Sequence, residues 1–401
     1  MSKESIKYSL KNLEHRKGRS FLTIFSILIG IATIFIFISF GFGLYNYIEE
    51  FSSSSSADKL IVQAKGTAVP GLDDTFQLTD DDVDAVRDSA GVLDVSGVYS
   101  KVAQVKVGKE MKYTFLVGYD PKKPLVMEVF NIEIEQGREL MSSDSGKVVL
   151  GYNYLIDNKI FSKGLELNDN IEVEGKSLRI VGFFEPVGSP PDDAQVYIIN
   201  DYVEEVYPDE NLSYAMIVAK VNIENIDKTI ENVEKKLRKL RGLDEGKEDF
   251  FVQSFQDMIE SYSSALDIVI GFVILIALIS VLVSAVNTAN TMITSVLERV
   301  KEIGIIKSIG ARNSEIFKIF LFESAFLGFV AGIIGVIVGF VLSFVGGRIL
   351  DSLGWGFLSP YFSVWLFVGC IAFATITGGI SGVIPAINAM KTNPVDALRY
   401  E

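Results

Sequence analysis

The sequence predicts an α-helical membrane protein with four transmembrane helices and an α+β extracytoplasmic domain inserted between helices 1 and 2. Three observations carry that expectation. Four long apolar runs contain no Asp, Glu, Lys or Arg, one long acidic stretch separates the first run from the second, and Lys and Arg gather at alternate ends of the runs. Composition agrees: 49% hydrophobic and 22% charged is too apolar for an ordinary soluble domain and too charged for a bare membrane bundle.

The apolar runs are 21–44 (FLTIFSILIGIATIFIFISFGFGL), 268–286, 324–347 and 362–387. Each reaches or approaches the roughly 20 residues that a helix rising about 1.5 Å per residue needs to cross the hydrocarbon layer. With their flanks they give spans at 20–48, 263–297, 314–347 and 362–387. The first run is about twice the 7–15 residues of a signal-peptide core, and YNYIEEF follows it before Ser52–Ser56. It is therefore expected to stay as an anchor.

Lys3, Lys7, Lys11, Arg16, Lys17 and Arg19 precede the first span, and Arg299, Lys301, Lys307, Arg312 and Lys318 lie between the second and third. The loop 348–361 has Arg348 alone, with Trp355, Tyr361 and Trp365 nearby as an interfacial belt. Positive charge marks the cytoplasmic side. The leader 1–19 and tail 388–401 are thus expected inside the cell membrane, and 49–262 and 348–361 outside. Ile6, Leu10 and Leu13 share one face of the leader, as in a helix lying on the bilayer. A plain positive flank accounts for it equally.

The formal charge of −14 is concentrated in 49–262, which argues for solubility and against nucleic-acid binding. The single Cys370 lies in the fourth run, so no disulfide within the chain staples the outer domain. Strands are expected at 59–65, 102–108, 146–151, 169–175, 177–185 and 194–199 from β-branched content and alternation. Helices are expected at 78–91, with Thr79 as N-cap and Asp80–Asp82 in its first turn, and at 225–240, with Ile226, Ile230, Val233 and Leu237 on one face. Such interleaving gives an α+β domain of one or two lobes.

No catalytic, cofactor or metal site is expected. A calcium loop starting at Asp80 needs Gly and Glu where Ala85 and Gly91 stand. Gly175-Lys176-Ser177 lacks the earlier Gly of a phosphate loop, with Asn170 in its place, and reads as a turn. The only histidine, His15, lies in the leader, which excludes His-based triads and zinc sites in the outer domain. Carboxylate pairs are many, but none stands out by spacing.

Between the second and third spans runs SVLERVKEIGIIKSIGARNSEIF, 295–317. Val300, Ile303, Ile306 and Ile309 recur at helical spacing, Gly310 suits a helix end, and Asn313 or Ser314 suits the next N-cap. A short helix follows over 298–313. It either rests on lipid or is gripped by a partner, and composition leaves both open.

The residues 296–335, VLERVKEIGIIKSIGARNSEIFKIFLFESAFLGFVAGIIG, closely resemble the signature of MacB/LolC/FtsX-type ABC transporter permeases. The tail GVIPAINAMKTNPVDALRYE, the first span, and VGYDPKKP, QGREL, VVLGYNYL and NDNIEVEGKSLRIVGFFEPVG in the outer domain are similar to the same family. The likeness covers nearly the whole chain. It implies that about 298–311 is a coupling helix seated on a separate cytoplasmic ATPase, which binds the ATP. In MacB the ATPase is fused ahead of the first span, whereas here only the leader precedes it.

By the same resemblance, Glu298, Arg299, Glu302, Ile303, Gly304, Ile305 and Lys307 are the expected contacts, with Gly310 and Ala311 shaping the turn. Two permeases, copies or paralogues, are expected to pair. ATPase closure then moves the outer domains, which act on a lipophilic, lipoprotein or peptide cargo or an adaptor outside the bilayer, without a path through it. The alternative is an FtsX-like relay that activates a cell-wall hydrolase, a class that usually has a smaller outer domain. Gly328, Gly332, Gly335 and Gly339 in the third span and Gly378 and Gly382 in the fourth form small-residue faces. These permit close helix approach, within one subunit or between two. Glu323, near the inner end of the third span, is expected in a structural ion pair, since a mid-bilayer charge costs about 2.5–3.5 kcal/mol.

Overall fold

The computed structural model describes residues 17–52, 57–65, 77–208 and 212–399. The leader positions Ile6, Leu10, Leu13 and His15 lie outside the described residues. In chain order, α1 (Lys17–Ser52) is followed by β1 (Lys59–Ala64), α2 (Asp80–Arg87), β2 (Val92–Val107), β3 (Glu110–Tyr119), α3 (Leu125–Phe130), β4 (Ile134–Gly137) and β5 (Lys147–Leu150). Next come β6 (Asn170–Val173), β7 (Lys176–Phe184), β8 (Val196–Ile199), α4 (Asn200–Val206), β9 (Met216–Val221), α5 (Ile226–Arg241) and β10 (Phe250–Ser254). Helices α6 (Phe255–Glu298), α7 (Val300–Ser308), α8 (Asn313–Ser352), α9 (Val364–Lys391) and α10 (Pro394–Arg399) complete the chain. Among the described residues, four helices are long and apolar enough to cross a membrane, within α1, α6, α8 and α9.

The chain divides into two compact units. One is helical; the other is the inserted α+β domain, to which the loop Leu350–Phe357 also belongs. In the inserted domain the strands run β10-β1-β9-β2-β3-β8-β5-β7-β4, with β6 bridging β2 and β7. Strand β2 explains the layout. Its first half pairs with β9 (Val95↔Ala219) and its second with β3 and β6 (Val105↔Lys112, Val105↔Val173). One strand therefore serves two cores. Leu60, Val62 and Ile217 bury under α2 and α5, meeting Val233 of α5, while Leu116, Val149, Ile180 and Phe183 fill the other core. Each such side chain contributes about 1.5–3 kcal/mol.

The acidic run at 80–82 opens α2. Asp82 reaches back to the Thr79 N–H (2.8 Å), and its carboxylate takes two hydrogen bonds from Arg241 at the end of α5 (2.9 and 2.8 Å). That fork joins the two helices over the first core. Glu174 and Gly175, at φ 47° and 77°, make the tight turn between β6 and β7, the conformation a two-residue hairpin favours.

In the helical unit, α8 is the central element. A Cβ at Gly328 would strike the Ala374 carbonyl, and one at Gly378 would lie 2.9 Å from Gly328 Cα. Gly332 faces Ala374, and Gly382 abuts Ser324. Further along, a Cβ at Gly335 would sit 3.0 Å from the Leu28 carbonyl and one at Gly339 3.0 Å from Phe35 Cβ. One glycine face thus admits α9 and the next admits α1, both within this chain. Helix α6 begins before the apolar run, because Ser254 and Asp257 cap it as β10 ends (Ser254 Oγ to Asp257 Oδ2 2.6 Å; Asp257 N–H to Ser254 Oγ 2.9 Å). Its apolar stretch is only 6% buried, as suits a helix facing lipid or another chain.

Candidate functional site

Helix α6 ends at Glu298, and Arg299, at φ −111° and ψ 15°, turns the chain into α7. Helix α7 closes on Ile309, after which Gly310 takes φ 101°, a region costly for any side chain with a Cβ. Asn313 and Ser314 were the expected caps of α8. Instead the Arg312 N–H donates to the Glu315 carboxylate (3.2 Å), the reach-back half of a capping box.

Among the described residues, three side chains anchor α7, which α10 also packs against. Ile303, 2% exposed, packs among Met292, Val296, Ile316, Phe320 and Ala389. Lys307 Nζ donates to the carbonyls of Met390 (2.9 Å) and Thr392 (2.7 Å), placing a cation where the end of α9 presents acceptors. Arg299, 4% exposed, is the third. Its Nε donates to Glu302 (3.1 Å), its Nη1 to Glu323 (3.2 Å), and its guanidinium lies 5.2 Å from the Phe320 ring centroid. Glu323 is also 4% exposed. Two charges taken out of water are tolerable only when paired this closely.

The outward face is different. Glu298, Glu302 and Ile305 are exposed, joined by Leu297, Lys301 and Ile309, the last 81% exposed, although the Glu302 carboxylate turns back to Arg299. Of the residues expected to contact an ATPase, Arg299, Ile303 and Gly304 are buried and Lys307 is half-buried. The expected apolar stripe splits for the same reason. Ile303 and Ile306 face inward, while Ile309, where the helix stops, does not. Leu297, Lys301 and Ile309 were missed as outward residues; the four-residue steps 297, 301, 305, 309 were the available signal. The ridge mixes apolar and charged groups.

Four spanning helices with a glycine-faced third, an α+β domain between the first two and a clamped helix between the second and third define a multi-pass membrane protein. The chain belongs to the MacB/FtsX-like family of ABC transporter permeases: residues 20–239 match the MacB-like periplasmic core domain and residues 274–394 the FtsX-like permease C-terminal domain. It is 32% identical to the ABC transporter permease MJ1507 of Methanocaldococcus jannaschii, over 99% of this chain and 98% of the relative. YknZ of Bacillus subtilis, another ABC transporter permease, is 26% identical over 99% of both chains. The macrolide export ATP-binding/permease protein MacB of Bdellovibrio bacteriovorus is 27% identical over 99% of this chain, which spans 62% of that relative. The solved periplasmic region of MacB from Actinobacillus actinomycetemcomitans aligns with 52% of this chain and 93% of its own length, at TM-score 0.42 and 16% identity.

Proposed function

We propose that this permease transmits motion from a separate cytoplasmic ATPase to its inserted domain, which works outside the cell membrane on a lipophilic, lipoprotein or peptide cargo. The observation that carries the reading is the state of α7. Its inner face is fixed by Arg299, Ile303 and Lys307 to α8 and the end of α9, while Leu297, Glu298, Glu302, Ile305 and Ile309 stand outward. A helix buried along one side and exposed along the other is built to act as a lever.

In this proposal the ATPase holds the outward ridge and binds the nucleotide. Gly310 and Ala311 shape the turn that ends the lever, and a second permease, copy or paralogue, completes the assembly. Both termini and α7 are cytoplasmic. The name of the Bdellovibrio relative, a macrolide exporter, supports export of an amphiphile.

The test is co-purification of the chain with an ATP-binding partner, followed by ATP turnover measured with and without Ile305→Asp. Loss of binding and of stimulated turnover is expected. Unchanged binding would overturn the reading. Capture of a cell-wall hydrolase by the inserted domain, in place of a cargo, would move the output from transport to a relay on the same lever.

A further inference from the structure

In a chain of formal charge −14, one concavity of the inserted domain is basic. A cavity of about 230 Å³ is lined by Arg138, Lys147, Leu167, Asn168, Arg179, Ile180 and Val181. Three cations and no carboxylate form that wall. Beneath it lies Asp144, 2% exposed in its side chain, which binds both Arg138 (2.5 Å) and Lys147 (2.6 Å). Those two heads are therefore held together on one carboxylate.

The donor inventory exceeds what this carboxylate accepts. Arg138 gives Nη1 to Asp144 and the Glu139 carbonyl, and Nη2 to Asp144, which leaves its Nε–H and one Nη2–H over. Lys147 has three N–H groups and gives one to Asp144. Arg179, on β7, gives Nη2 to Asn168 Oδ1 (2.7 Å) and among the described residues pairs with no carboxylate. Guanidinium forks and an ammonium converging from β5, β7 and the residue after β4 suit an acceptor that has oxygens in several directions. The volume sets the size, since sites for drug-sized ligands run about 300–1,000 Å³.

We propose that this pocket binds a phosphate-type oxyanion, either free or as the headgroup of an anionic lipid. Asp144 pre-positions Arg138 and Lys147, and Arg179 closes the site from β7. The proposal does not depend on the lever at α7.

The experiment uses the full chain in neutral detergent and titrates inorganic phosphate, following thermal unfolding and the ³¹P line width against sodium chloride at equal ionic strength. Phosphate is expected to raise the midpoint beyond chloride, and Arg179→Gln, which leaves the Asp144 ion pairs intact, is expected to weaken binding at least tenfold. A second arm replaces phosphate with nanodiscs containing phosphatidic acid or phosphatidylcholine alone. A response confined to phosphatidic acid assigns the site to a lipid headgroup; a response to inorganic phosphate assigns it to a free anion. No phosphate or phosphatidic-acid effect beyond the chloride and phosphatidylcholine controls, or an equal effect in Arg179→Gln, would overturn the proposal.

Discussion

Replacing Glu323 with Gln leaves Arg299 buried against a neutral amide. Both residues are 4% exposed, so neither is rescued by solvent. Removing one partner of a buried pair costs about 3–5 kcal/mol. Glu302 still accepts from Arg299 Nε, and the Phe320 ring still lies over the guanidinium, which places the cost at the low end, about 3 kcal/mol. At about 1.36 kcal/mol per decade, that is roughly a hundredfold in the unfolding equilibrium. Arg299→Met should cost about as much, because Glu323 then loses its guanidinium partner. The double variant Arg299→Met/Glu323→Met removes both charges and should recover most of the loss, as apolar replacements of buried pairs do. The assay is unfolding of the parent, these three variants and Glu323→Met, which completes the additivity comparison, in mixed detergent micelles. Single variants indistinguishable from the parent, or losses that simply add in the double variant, would refute the buried-strut account.

Other outcomes follow from the same geometry. Gly328→Leu should destabilise the helical unit by at least 1–3 kcal/mol through overpacking, since its Cβ would strike the Ala374 carbonyl, while Gly271→Ala, whose Cβ meets nothing within 4 Å, should be neutral; thermal unfolding in detergent separates the two. Gly310→Ala has open space but φ 101°, so it should cost on the order of 1 kcal/mol and slacken the turn, lowering coupled ATP turnover while ATPase binding persists. The Arg138 guanidinium, with Lys147, holds the Asp144 carboxyl well below the usual carboxylate range. A depressed folded pKa contributes stability that is present above about pH 4 and lost as the pH falls further. Asp144→Asn should therefore lower stability at pH 7 and flatten its fall below pH 4, as read by near-UV circular dichroism.

Some of this was legible in the sequence and some was not. The spans were legible because bilayer thickness imposes length and composition on each of them. The start of α2 was too, because Asp82 answers Thr79 locally. The short helix after Glu298 was marked by Gly310, which only a positive φ explains. Its facing was not. Ile309 completes a helical stripe on paper, but the helix ends there, so the last member swings out. Burial of Arg299 depended on Glu323, a residue 24 positions away, and the tie from Lys307 on carbonyls at the end of α9; neither partner is encoded nearby. In the inserted domain, the first half of β2 carries Asp94, Ser96 and Gly97, which do not advertise a strand. Gly97 is needed because the Tyr214 ring lies against it, stacked 4.4 Å from the Tyr99 ring. The glycine faces of α8 were visible as faces, but their partners were set by helix packing.

The central claim concerns who holds the outward ridge of α7. A photo-crosslinking residue placed at Ile305 in living cells tests it most directly. Illumination should join the chain to a cytoplasmic ATP-binding protein, with a yield that changes when nucleotide is depleted. Crosslinks to lipid alone, or to a protein on the far side of the membrane, would contradict it.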